Sequence, residues 1–123
     1  MTRLARRVFA RSGQLAVLAA LLAWGFDRVE VVGGSMAPTF APGDRLLLIR
    51  RWRTLRVGDV VALTDPTFRD RSLVKRVASI DGASATVVGD NEAASTDSRS
   101  FGAVPVESIR HLVVRRYARG EGA

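Results

Sequence analysis

The sequence predicts a mainly β protein: a small closed or nearly closed antiparallel β domain preceded by one apolar N-terminal helix. Three observations predict it. Six short β-type runs separated by Gly, Pro, Asp and Ser turn signals fill the chain from Arg28 onward. No second amphipathic helix interrupts them, and an uncharged Leu/Ala/Val stretch lies ahead of them. A chain of 123 residues allows one modest domain rather than two independent cores.

The first element is "MTRLARRVFARSGQLAVLAALLAWGF". Arg3, Arg6, Arg7 and Arg11 precede an uncharged run from Ser12 to Phe26 whose composition favours helix. Its about 15 residues span roughly 22 Å, and extension back through Val8 and Phe9 with Arg11 snorkelling approaches a bilayer's width. The basic flank makes a membrane anchor the favoured reading. A helix packed on the domain or lying at the interface competes with it. A cleavable signal peptide fits less well, because no small-x-small site follows the apolar run. Residues 1–27 are therefore read as flank and anchor, 28–119 as the functional core and 120–123 as a frayed tail.

The strands follow in order. "RVEVV" (28–32) precedes a Gly-Gly turn, "RLLLIR" (45–50) follows "APGD", and "DVVAL" (59–63) follows "RVGD". "SLVKRVASI" (72–80) follows the polar "TDPTFRDR", "ATVVG" (85–89) follows "DGAS", and "IRHLVVRRY" (109–117) closes the core. Each is four to eight or so residues of β-branched and aliphatic side chains bounded by turn formers.

Composition narrows the chemistry. There is no Cys, so thiolate chemistry and disulfides are excluded, and the one histidine, His111, rules out multi-histidine metal sites. No cofactor is implied. The net charge is +7, yet of 19 basic residues Lys75 is the only lysine. An arginine cannot lose its proton near neutrality, whereas a buried lysine can. At its ordinary pKa of about 10.4, only about one lysine in a thousand is neutral at pH 7.5. In "SLVKRVASI", period two places Leu73, Lys75 and Val77 on one face and Val74, Arg76 and Ala78 on the other. Lys75 then has apolar company on an inner face; the reversed strand would bury Arg76 instead.

A buried neutral amine is useful where it accepts a proton, and "GGSMAPTFAPGD" (33–44) offers a donor. Ser35 sits in a loop bounded by the turn formers Gly33, Gly34 and Gly43 and stiffened by Pro38. A serine activated by a neutral lysine needs no histidine. The polar loop "GDNEAASTDSRSFGAVP" (89–105) adds Ser95, Asp97, Ser98 and Arg99. Asp97 and Arg99 could pair and brace it, and a serine hydroxyl could aim the amine. Taken alone, such a run reads first as a solvated, turn-rich loop.

Together these segments resemble the signal peptidase I family, the serine/lysine endopeptidases that remove leader peptides. "GSMAPT" is similar to its nucleophile box, "GDRLLLIR" and "GDVVAL" to the following strands, "LVKRV" to its lysine box and the 89–105 loop to its last box, in the same order from Val31 to Pro105. The resemblance implies Ser35 as nucleophile and Lys75 as general base. It implies Ser95 as the group that orients the lysine, Asp97 and Arg99 as the loop brace, and the Ser35 N–H as an oxyanion donor. Met36 and Pro38 shape the loop, and a substrate would add as an extended strand. Where many members carry a hydroxyl two residues before the nucleophile, this chain has Gly33. Only residues 76–88 separate Lys75 from Gly89, so the second β domain of larger members is missing. The implied partners are a protein with an N-terminal leader and membrane lipid, with the catalytic domain extracytoplasmic. Alternatives are a cytoplasmic maturation protease of one client, such as nickel superoxide dismutase, or a self-cleaving repressor-type relative. A basic nucleic-acid-binding β module is a further one, resting on "RRWRTLR"; its few aromatics argue against it, and lipid headgroups suit the run better.

Overall fold

The computed structural model describes Ala16, residues 25–94 and residues 97–120. The segment read as flank and anchor helix falls almost wholly outside the described residues, as do Ser95, Thr96 and residues 121–123. Among the described residues, no helix is long and apolar enough to cross a membrane.

Seven strands form one antiparallel sheet: β1 (Phe26–Glu30), β2 (Arg45–Arg50), β3 (Val60–Thr64), β4 (Ser72–Asp81), β5 (Ser84–Val88), β6 (Val104–Pro105) and β7 (His111–Ala118). Their spatial order is β1-β2-β7-β3-β4-β5-β6. The sheet is not closed, which corrects the closed or nearly closed barrel expected from the strand pattern. β1 pairs only with β2, and the two-residue β6 pairs only with β5, so both ends of the order are edges. The reason is a mismatch of lengths. β4 has ten residues and β5 only five, so β4 pairs with β3 over Ser72–Arg76 and with β5 from Arg76 to Asp81. The first half of β4 therefore has sheet on one side only.

Alternation along β4 decides which cluster each side chain meets. Leu73 and Val77 pack with Leu55, Val61, Leu63, Val87, Ile109 and Leu112 in the larger cluster, while Val74 packs with Val31, Met36 and Leu46 in a second one. Each fully buried aliphatic side chain contributes about 1.5–3 kcal/mol. The two clusters thus clamp β4 from both faces. Lys75, paired opposite Val61, sits on the side of the larger cluster and is 2% exposed.

β7 lies in the middle of the sheet, between β2 and β3. Beyond it, the Gly120 N–H donates to Asp44 at 2.7 Å, and a Cβ on Gly120 would meet the Pro42 carbonyl oxygen at 2.2 Å. Asp44 is buried and also accepts from the Ala41 N–H at 2.9 Å and from Arg116 at 3.2 Å. These bonds, led by the one from Gly120, hold its carboxyl below the usual range. The chain after β7 is thereby tied to the end of the loop that carries Ser35.

Candidate active site

The ladder of β1 ends at Glu30 and gives way to a two-bond clasp, Val31 N–H to Asp44 at 2.8 Å and Gly43 N–H to Val31 at 2.7 Å. The residues between, 32–42, are thereby pinched into a loop. Gly33 takes φ +79, a left-handed conformation that suits glycine and strains a serine. That gives a backbone reason for glycine at this position. Inside the loop, Ala37 N–H donates to Gly34 and Phe40 N–H to Met36, and Met36 itself is fully buried in the second cluster. Ser35 is half-buried between them.

Ser35 and Lys75 come together. Both line a cavity of about 40 Å³, whose walls are Glu30–Val32 on one side and Ser72–Val74 on the other. That is about the room of one water or a methyl group. Desolvation by burial pulls the Lys75 amine below the ordinary lysine value; the negative charges of Asp97 and Asp65 oppose this, and the positive charge of Arg99 adds to it.

Asp97 is fully buried. Its two oxygens accept from the Gly89 N–H at 3.0 Å, the Arg99 N–H at 3.0 Å and Arg99 Nε at 2.9 Å, with Arg99 Nη2 also on it. Arg99 reaches Glu92 as well, at 3.3 Å. The single helical turn Ser98–Phe101 starts on Asp97, whose carbonyl accepts from Ser100 and Phe101. The loop is a braced unit. Ser95 lies outside the described residues.

Two neighbours of that brace carry no signal in the sequence beyond a polar turn. Asn91 donates its side-chain amide to the Gly34 carbonyl at 3.1 Å and its backbone N–H to the Ser35 carbonyl at 2.8 Å. Asp90 accepts from Thr39 at 2.5 Å and from Arg76 Nε and Nη2, both at 2.9 Å. The loop after β5 thus grips the Ser35 loop at two points and ties it to the residue after Lys75. Asp65, buried and capping the Thr67 and Phe68 N–H groups, is the third group the sequence does not single out. Among the described residues, no cluster of His, Asp and Glu is placed to hold a metal ion.

Such an arrangement can do acyl transfer: a hydroxyl and an amine lining one small cavity, in a hydrogen-bonded frame, beside an open sheet edge. The comparison with known sequences agrees in kind. A family described as "Signal peptidase, peptidase S26" matches over residues 5–87, a stretch that includes Ser35 and Lys75 and stops short of Asp97. Mitochondrial inner membrane protease subunit 1 of Schizosaccharomyces pombe is 31% identical over 107 residues, covering 68% of this chain and 68% of the relative. Mitochondrial ATP-independent inner membrane protease subunit 1a of Arabidopsis thaliana is 35% identical over 113 residues, covering 71% and 67%.

Proposed function

The chain belongs to the signal peptidase, peptidase S26, family, and from that premise we propose that it is a serine endopeptidase with a Ser/Lys dyad that removes leader peptides at a membrane surface. The observation that carries this reading is the single lysine of the chain, 2% exposed and sharing a 40 Å³ cavity with Ser35.

Ser35 Oγ attacks the scissile carbonyl carbon while neutral Lys75 Nζ takes its proton. The carbonyl oxygen becomes an oxyanion that the Ser35 N–H faces; with Gly33 in place of a hydroxyl residue, further stabilisation falls to backbone donors. As the intermediate collapses, Lys75 returns the proton to the leaving amine, and the leader stays esterified to Ser35. Lys75 then takes a proton from water, whose oxygen releases the leader as an acid and restores the serine. Ser95, two residues before the Asp97 brace, orients the amine, and Asp97 and Arg99 hold that loop in place.

The leader occupies the gap in the sheet, between Glu30–Val32 and Ser72–Lys75, as an added strand. The cavity admits only a small side chain next to the scissile bond. Membrane attachment through residues 1–27, with the catalytic domain extracytoplasmic, is supported by the basic flank and by the inner-membrane names of the relatives. Trp52, 68% exposed with Arg53 5.8 Å from its ring, suits a surface facing anionic headgroups.

The test is cleavage, in detergent, of a leader-type peptide ending in Ala-x-Ala by the wild type, Ser35→Ala and Lys75→Arg. Cleavage after the small residue by the wild type alone is expected. Cleavage by a folded Lys75→Arg variant would sink the lysine mechanism, since a guanidinium is no base at neutral pH.

A further inference from the structure

A larger groove opens beside the cleft, and the dyad does not account for it. Its volume is about 560 Å³, and Arg28, Arg69 and Arg110 line it together with His111. Asp27 is its one carboxylate, and it accepts a hydrogen bond from the Arg28 N–H at 2.8 Å. Among the described residues, none of these three arginines forms an ion pair with a carboxylate, whereas Arg53, Arg76, Arg99 and Arg116 all do. The floor is apolar through Leu48, Ala62 and Leu63. A wall of three arginines against one carboxylate, over an apolar floor, suits an extended polypeptide carrying a carboxylate.

The groove is placed to meet one. It shares Ser72 with the catalytic cavity, and Val29 at its rim adjoins Glu30 of that cavity. β1 and β4 both run from the groove towards Ser35 and Lys75, since three antiparallel pairings separate β2 from β4 and one more reverses β1. A strand laid in the gap therefore has its reacting carbonyl at one end and the groove at the other. Resting on the reading above, in which the leader side of the substrate fills the gap, the chain entering the groove is the leader. At about 3.3 Å per residue, its roughly fourth to seventh residues before the scissile bond lie there.

We infer that Arg28, Arg69 and Arg110 form an acidic-residue subsite that selects leaders bearing Asp or Glu roughly four to seven residues before the cleavage point.

The experiment compares leader-type peptides with Glu, Gln or Lys at those positions, each against the wild type, the Arg28→Gln/Arg69→Gln/Arg110→Gln variant and its Lys counterpart. The wild type is expected to favour Glu over Gln in kcat/KM by about five-fold at low salt, with the ratio falling as salt rises. The ratio is expected to collapse to about one in the Gln variant and to be restored by the Lys variant. Binding of the same peptides to Ser35→Ala, read by fluorescence anisotropy, gives the same ratio without needing cleavage. It therefore separates a failed subsite from a failed dyad. Equal treatment of Glu and Gln peptides by the wild type, in turnover or in binding, overturns the inference. So does a Gln variant that keeps the ratio. Loss of retention on anionic vesicles with a ratio of one throughout would assign the groove to lipid and overturn it as well.

Discussion

Asp97→Asn tests the brace and the dyad in one variant. The two Asp97 oxygens accept from the Gly89 N–H on one side and from the Arg99 N–H and Nε on the other, with Nη2 beside Gly89. An asparagine offers one oxygen and one NH2. Whichever way it turns, a backbone N–H in a fully buried site meets another donor, which costs about 1–3 kcal/mol. The bond that remains loses its charge assistance, about 1 kcal/mol more. The sum is about 3 kcal/mol, a fall in Tm of roughly 10–15 °C for a domain of this size. Thermal unfolding followed by circular dichroism reads it. The same substitution removes a negative charge that raises the Lys75 pKa and leaves the positive charge of Arg99 that lowers it. If Lys75 is the base of the proposed dyad, the acidic limb of kcat/KM reports loss of its neutral amine and should move to lower pH in the folded fraction. An unchanged Tm would refute the bond accounting, and a limb displaced to higher pH would refute the electrostatics around Lys75.

Three further outcomes follow from the same geometry. Lys75→Met should abolish cleavage yet raise stability at neutral pH. The folded wild type binds fewer protons than the unfolded chain between the depressed Lys75 pKa and the ordinary 10.5, so wild-type stability climbs across that window and its deficit against Met shrinks; urea titrations at several pH values would show this, and a gap that widens with pH contradicts it. Asp90→Asn should cut kcat more than it cuts stability, because it loosens the Thr39 and Arg76 contacts that hold the Ser35 loop over β4; equal kcat in a folded variant would mean the loop holds itself. Gly120→Ala should destabilise by about 1–3 kcal/mol, since the added Cβ would fall 2.2 Å from the Pro42 carbonyl oxygen and displace the N–H from buried Asp44; a neutral result in a denaturant melt would show that the clip is dispensable.

Local pattern carried much of this fold. β2 occupies the "RLLLIR" run read from the sequence, and β4 extends the "SLVKRVASI" run by one residue. Period-two alternation grouped Lys75 with Leu73 and Val77 but left open which face turned inward, because both faces of β4 meet a cluster; the structure buries Lys75 and leaves Arg76 half-buried. Sheet closure was not legible in that way. It turns on β5 being half the length of β4, a comparison between elements rather than a property of either. The grip of Asp90 and Asn91 on the Ser35 loop joins residues 51 and 57 positions apart, and a polar turn looks the same whether or not it has such a partner. Asp65 hides for a similar reason: its N–H caps read as an ordinary turn, and only its burial near Lys75 gives its charge a part in the site.

The central place of β7 has a consequence for how the site is assembled. Its residues, His111–Ala118, join β2 to β3, and so connect the strand that follows the Ser35 loop to the strand that supports Lys75. Residues up to 100 already contain serine, lysine and brace, with the Asp90 and Asn91 bonds between them, but not the strand whose ladders join β2 to β3. The two halves of the site are therefore joined through the sheet only once β7 has taken its place between β2 and β3.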